Sequence, residues 1–268
     1  MEKIIGFIGA GNMGQAMAGG IVNSKIIEPE NIIFSDINSE NLKKVYEKYR
    51  VKTANSNILT ASMSDILVLA VKPHFYETVI NEVRDFIKPE TIIITIAAGI
   101  SLKNMRDMLG KDMKVIRTMP NTPAMVGEGM TAVVPNEFVS EEEIKEVVKI
   151  LESFGKTEIV DEKLIDTVGS VSGSSPAFVY MLIEAMADGA VAGGMARDKA
   201  YKFAAQAVLG SAKMVLETGI HPGALKDMVC SPGGTTIEGV ASLEENGFRS
   251  AIIKAMKACD DKSKKMSK

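Results

Sequence analysis

The spacing Gly9-Ala10-Gly11-Asn12-Met13-Gly14 is the first arrangement in the chain that could do chemistry. It follows a strand-like run, Ile4-Ile5-Gly6-Phe7-Ile8, and opens a helix-like stretch. In that setting each glycine has a task. Gly9 permits the tight turn, Gly11 lets a diphosphate approach the backbone, and Gly14 lets the helix pack on the strand. Free N–H groups and the helix dipole then face the anion. The prediction is a dinucleotide cradled by Ile8, Gly9, Ala10, Gly11, Asn12, Met13 and Gly14. Asp36 ends the next apolar run, Phe34-Ser35-Asp36, at about the 20-residue distance where an acid meets the adenosine ribose. A carboxylate there accepts from ribose hydroxyls and repels a 2′-phosphate. No arginine follows, since Ile37 and Asn38 come next. Asp36 therefore leans toward NADH, with NADPH left open; the other reading of Asp36 is a simple turn cap.

Two later segments, Ala70-Val71-Lys72-Pro73 and Ala97-Ala98-Gly99, also end apolar runs. In open α/β sheets ligands sit beyond the carboxyl ends of strands, so both should border the same crevice. Near the far end of the chain lies Cys230-Ser231-Pro232-Gly233-Gly234-Thr235-Thr236, just before a helix-like stretch. It offers hydroxyls and unpaired backbone N–H groups at a helix N-terminus. That suits a small carboxylate, or else is an ordinary capped loop.

What is missing narrows the chemistry. The histidines, His74 and His221, lack a neighbouring Asp or Glu that would mark a histidine-dependent dehydrogenase. No H-E-x-x-H, C-x-x-C or clustered ligand set occurs, so no metal is expected. Gly-Ser-Ser at 173–175 has no acid and base downstream to make a nucleophile elbow. Cys230 and Cys259 are too few for a disulfide framework and read as small buried residues of a reducing compartment.

The elements that must position these residues are legible in outline. Apolar runs at Ile4–Ile8, Ile32–Phe34, Ile66–Val71, Ile92–Ile96 and Val115–Ile116 alternate with helical stretches at Met13–Ser24, Glu40–Tyr49, Phe75–Phe86 and Leu102–Leu109. Unbroken β-branched runs suit strands covered on both faces, and alternation with helices implies βαβ units. A helix follows at Glu141–Phe154, where Ser140 and Glu143 have capping-box spacing, and then a strand at Lys156–Val160. From Asp161 the texture becomes helical: Ala177–Ala192, Asp198–Glu217, Thr236–Glu245 and Arg249–Lys264. The expected fold class is α/β: an N-terminal Rossmann-like, doubly wound, mostly parallel sheet over residues 1–160, then an all-helical C-terminal domain over residues 161–268. Ala177–Ala192 is apolar nearly all round, which fits a subunit interface or the core of a self-contained bundle.

Composition agrees with an ordinary globular protein. The 268 residues are 46% apolar and 24% charged, with net charge −3, and no basic cluster interleaved with aromatics points to nucleic acid. Lys262, Lys264, Lys265 and Lys268 read as a solvated helix end. The start, Met1-Glu2-Lys3, lacks the apolar stretch of a signal peptide, and Ala177–Ala192 carries Glu184 and Asp188. No membrane is expected, and the location expected is the cytoplasm.

Taken together the motifs resemble the pyrroline-5-carboxylate reductase family. The matches are residues 6–14, Ala-Val-Lys-Pro at 70–73, Ala-Ala-Gly-Ile at 97–100 and Arg117-Thr118-Met119-Pro120-Asn121-Thr122-Pro123. In the second half they are Ser172-Gly173-Ser174-Ser175-Pro176-Ala177 and the stretch from His221-Pro222-Gly223 through Asp227 to Thr236. The order is right over almost the whole chain, and the last motif is the most specific. The resemblance implies reduction of the C=N bond of 1-pyrroline-5-carboxylate by NADPH or NADH, giving L-proline. It implies Thr236 at the ring nitrogen, with Ser231, Gly233, Gly234 and Thr235 at the carboxylate. It implies Asn57 at the cofactor, and Met119 to Thr122, Asn121 among them, beside the nicotinamide. It implies a homodimer through the C-terminal helices, whose active sites join one subunit's dinucleotide domain to its partner's helices. Dimers of the family often assemble further into decameric rings. One departure is visible: Ser175 stands at the second glycine of the family's Ser-Gly-Ser-Gly-Pro-Ala, and would be strained if the position needs a positive φ.

The nearest rival is a β-hydroxyacid dehydrogenase, which would use a helical lysine. Lys199 is the candidate, but no Asn-Asn pair follows it. A dinucleotide-sensing regulator is the non-enzyme rival, and it has no use for the hydroxyls of 231–236.

Overall fold

In the computed structural model, which describes residues 3–266, the chain divides into two compact units. One holds the chain up to Gly173 together with the stretch from Cys259 onward; the other is Ser174–Ala258. The first residues of the chain and Lys268 lie outside the described residues.

The first unit is built on β1 (Ile5–Ile8), α1 (Asn12–Ser24), β2 (Ile32–Ser35), α2 (Ser39–Tyr49), β3 (Lys52–Ala54), α3 (Asn57–Met63), β4 (Ile66–Leu69), α4 (Tyr76–Val83), β5 (Ile92–Thr95), α5 (Leu102–Leu109) and β6 (Lys114–Met119). β7 (Gly129–Pro135), α6 (Glu141–Leu151), β8 (Gly155–Ile159), the short α7 (Ile165–Val168) and most of a π-helical turn at Gly169–Ser174 complete it. The sheet order is β3-β2-β1-β4-β5-β6-β7-β8. Every pairing is parallel except β6 with β7. This is the doubly wound, mostly parallel sheet that the apolar runs predict. β1, β2, β4 and β5 are buried at every position, because helices cover both faces. Phe7 and Phe34 stack at 4.5 Å between centroids, locking β1 to β2 within the larger core cluster.

Chain order runs outward from β1 in both directions, so the sheet has its switch point between β1 and β4. In such sheets the ligand crevice opens there, beyond the carboxyl ends of the strands. A buried hydrogen-bond chain sets those ends. Thr118 Oγ1 donates to Thr95 O at 3.0 Å, Thr95 Oγ1 donates to the Tyr76 phenol at 2.9 Å, and Tyr76 donates to Leu69 O at 2.7 Å. Burial pushes the Tyr76 phenol up to about 12, so it stays a donor. β4, β5 and β6 are thereby tied where Ala70, Ala97 and Pro120 leave the sheet.

Several boundaries differ from the sequence reading. The helix expected at Phe75–Phe86 is shorter, since Pro73–Phe75 forms a tight 3-10 turn before α4. The predicted box at Ser140 and Glu143 is present in both directions. β3, α3 and β7 fall outside the runs marked by the sequence, as does the helix at Pro222–Val229.

The second unit carries α8 (Ser175–Ala192), α9 (Arg197–Thr218), α10 (Pro222–Val229), α11 (Thr235–Glu245) and most of α12 (Phe248–Met266). No strand occurs among its described residues. α8 and α9 pack as a pair, yet α8 leaves Tyr180, Met181 and Met186 exposed. An apolar helix with only Ala187 buried has a face still to be covered. Ser175 opens α8, and among the described residues the non-glycine positions with positive φ are Lys25 and Arg50, so the serine carries no strain there. No helix among the described residues is long and apolar enough to cross a membrane.

Candidate functional site

The first strand ends at Ile8 and the chain turns on Gly9, whose φ is +107°. A Cβ at Gly9 would sit 2.5 Å from Ala70 O, so the turn and the end of β4 touch through bare backbone. Gly14 is as tight, with a Cβ there falling 2.6 Å from Gly9 O. Gly11 is different: a Cβ would meet no protein atom within 4 Å. The absence of a side chain at Gly11 leaves space that no other described residue fills. Gly11 is also the N-cap of α1, no side chain caps it, and no acid lies in the first turn. Unpaired N–H groups, a helix dipole and an open approach are what a diphosphate requires. These residues fit a dinucleotide.

A cleft of about 430 Å³ adjoins this turn at the switch point. It brings together Ile8, Gly9, Gly11, Asp36, Asn57, Ala70, Val71 and Lys72, each of which the sequence places at the cofactor. Asp36 is half-buried. Its Oδ2 accepts the Ala10 N–H at 2.6 Å and its Oδ1 accepts the Asn38 N–H at 2.7 Å. The carboxylate is therefore held rigidly beside the glycine turn. Both readings of Asp36 have a basis: it caps a turn and it also lines the cleft.

Other expected cofactor residues lie beside the cleft rather than in its lining. Ala10 and Gly14 are buried in the turn, Asn12 and Met13 open α1, and Pro73 starts the 3-10 turn after Lys72. Ala97, Ala98 and Gly99 follow β5, whose Thr95 pairs with β4 at Leu69, so they leave the same sheet edge. Asn121 is buried and both ends of its amide are engaged: Nδ2 donates to Ser172 O at 3.0 Å, and Oδ1 accepts from Met130 N at 2.8 Å. It braces the β6–β7 connection against the π-helical turn.

Sequence reasoning missed Ile37, Asn41, Phe75, Thr78, Val79 and Glu82, which complete the lining. Phe75, Thr78, Val79 and Glu82 recur at helical spacing, but the apolar period of α4 marks its core face, Tyr76, Val79, Ile80 and Val83, and not the face on the cleft.

The expected substrate residues lie on the second unit. Ser231, Pro232 and Gly233 form a turn in which Gly234 N donates to Ser231 O at 3.0 Å. Gly233 takes φ +66°. Gly234 is the N-cap of α11 with no side chain bonded to the helix, and Thr235 and Thr236 are its first residues. Glu238 is the acid in that first turn. Thr236 is half-buried, while Ser231 and Thr235 are exposed. His221 is spent on structure: its Nδ1 accepts from Gly223 N at 3.1 Å, capping α10. Lys199, the rival's lysine, is exposed near the start of α9. No metal-binding group of His, Cys, Asp and Glu is present among the described residues.

A doubly wound sheet with an open glycine turn at its switch point defines a Rossmann-type dinucleotide-binding protein. The pyrroline-5-carboxylate reductase of Escherichia coli K12 is 52% identical over 268 residues, all of both chains. The chain belongs to the pyrroline-5-carboxylate reductase family. The reductase of Methanosarcina acetivorans is 45% identical over 98% of each chain. The model for pyrroline-5-carboxylate reductase dimerisation matches residues 162–266, and one for NADP oxidoreductase, coenzyme F420-dependent, matches residues 4–99. Among solved structures, the Plasmodium falciparum pyrroline carboxylate reductase with NADP bound superposes with a TM-score of 0.90, at 34% identity over the whole of both chains.

Proposed function

We infer that the protein reduces 1-pyrroline-5-carboxylate to L-proline with NAD(P)H, as a step of proline biosynthesis. The observation that carries this is the family match along the entire chain, which spans the glycine turn and the 231–236 loop alike. Dinucleotide oxidation dependent on pyrroline-5-carboxylate tests it. Absence of that oxidation in the purified protein would end the reading.

Residues 1–160 bind the dinucleotide; residues 161–268 bind substrate and pair subunits. NAD(P)H, when bound, supplies the hydride that reduces the C=N carbon. Gly9–Gly14 hold its diphosphate, and Ala70–Pro73, Ala97–Gly99 and Asn121 form the edge at its nicotinamide end. The N-terminus of α11 receives the substrate carboxylate through backbone N–H groups and the hydroxyls of Ser231 and Thr235. Thr236 Oγ1 donates to the ring nitrogen. A cyclic imine is already fairly basic, so a positioned hydroxyl or solvent suffices where a strong acid would otherwise be needed. Orientation is the main task. The uncovered apolar face of α8 supports a homodimer formed through these helices, working in the cytoplasm.

Thr236→Ala is expected to keep dinucleotide binding but lose about tenfold in kcat/KM, roughly 1.4 kcal/mol of transition-state stabilisation. Steady-state kinetics check it, and wild-type values would remove Thr236 from the mechanism. Asp36 favours NADH by accepting from the ribose. Asp36→Ser should raise the NADPH-to-NADH ratio of kcat/KM by about tenfold, the scale of one charge-assisted contact. An unchanged ratio would show that Asp36 serves only the Ala10 and Asn38 N–H groups.

A further inference from the structure

We propose that Glu82 is a positioning residue that sets cofactor choice by fixing the amide of Asn57. The inference rests on the reading of the switch-point cleft as the adenosine site. Asn57 is the first residue of α3 and Glu82 lies on the cleft face of α4; both line the cleft. Asn57 Nδ2 donates to Glu82 Oε2 at 2.8 Å. The direction of this bond is forced. An ionised carboxylate only accepts, so it must face the amide's NH₂ end. The other end, Oδ1, is then what Asn57 offers to a ligand.

An amide alone is ambidextrous. Turned one way it donates to a phosphate oxygen; turned the other way it accepts from a hydroxyl. Glu82 removes the choice. With Glu82 in place Asn57 presents an acceptor, which welcomes a ribose 2′-hydroxyl and opposes a 2′-phosphate. The same holds for Asp36, whose carboxylate is pinned on the neighbouring wall. The charged side chains lining the cleft are Asp36, Glu82 and Lys72, two carboxylates to one ammonium. Glu82 thus acts in two ways that agree: it orients Asn57, and it adds negative charge near the site of a 2′-phosphate. The amide term is the larger, because the carboxylate is exposed and its field is screened by solvent.

The test is kcat/KM for NADH and for NADPH at saturating pyrroline-5-carboxylate, in the full-length protein. Glu82→Ala frees the amide and should raise the NADPH-to-NADH ratio by about fivefold, the range of one exposed hydrogen bond to a charged group. Glu82→Gln keeps an acceptor for Asn57 and should move the ratio by less than half as much on a logarithmic scale. In an Asn57→Ala background, Glu82→Ala should have almost no further effect, since the coupling runs through that amide. A merely structural role would lower both cofactors together and leave the ratio alone. A ratio unmoved by Glu82→Ala overturns the inference, as does a shift that persists in full without Asn57. Wild-type protein that oxidises neither dinucleotide would sink the adenosine-site reading itself, and the inference with it.

Discussion

Glu162→Ala is expected to cost about 3 kcal/mol of stability, a fall in Tm of roughly 6–12 °C for a chain of this size. The reason is Arg117. It lies in β6 with its side chain 6% exposed, and its Nη1 donates to Glu162 Oε1 at 2.8 Å. Arg117 Nε is buried without a hydrogen-bond partner, so the guanidinium is already under-served. Glu162 Oε1 also accepts the Leu102 N–H at 2.8 Å, a first-turn donor of α5 that has no acceptor within the helix. One carboxylate thus neutralises a buried cation and caps a helix. Removing it strands both, and a guanidinium cannot shed its proton to escape. The glutamate is itself 35% exposed on its side chain, which places the loss at the lower end for such pairs. Glu162→Gln should recover part of the loss by restoring an acceptor. Arg117→Met in the Glu162→Ala background should recover more, because it removes the orphaned charge. Thermal denaturation followed by circular dichroism distinguishes these variants. If Glu162→Ala melts with the wild type, the pair is no more than a surface contact.

This pair also shows what the sequence alone could not say. Arg117 stands in a motif quoted for its family resemblance, and nothing local announces that its partner is forty-five residues away. The central strands were legible because parallel strands buried on both faces must be almost wholly apolar, as Ile66–Leu69 is. β3 has no such mark. It is three residues long, at the sheet edge, with Lys52 and Thr53 exposed. β7 carries Ala132-Val133-Val134, but its antiparallel pairing with β6 is a long-range choice that no periodicity encodes. α3, at seven residues, is too short for a helical period to repeat. The site divides the same way. The glycine turn depends on spacing within six residues and could be read directly. The wall formed by Phe75, Val79 and Glu82 depends on which face α4 turns to the sheet, and that is settled by packing. Asn121 teaches the reverse lesson, since the structure consumes both ends of an amide that its motif places beside the nicotinamide.

Gly11→Val should raise the KM for NAD(P)H by about a hundredfold, roughly 2.7 kcal/mol, while changing stability by less than about 1 kcal/mol. The contrast with Gly9 makes the case. At Gly9 a side chain is forbidden by the protein itself: φ is +107° and a Cβ would lie 2.5 Å from Ala70 O. Gly9→Ala should therefore destabilise the fold, by about 2 kcal/mol. At Gly11 the protein forbids nothing. Its φ of −72° and ψ of −175° are open to any residue, and an added Cβ meets no atom within 4 Å. A valine there folds without hindrance and places its methyl groups at the mouth of α1, where the diphosphate must approach the free N–H groups. The penalty falls on the ligand alone. A melting curve and a dinucleotide titration on the same sample separate the two positions. A Gly11→Val protein that binds NAD(P)H normally would mean that the open space at Gly11 is not where the diphosphate lies.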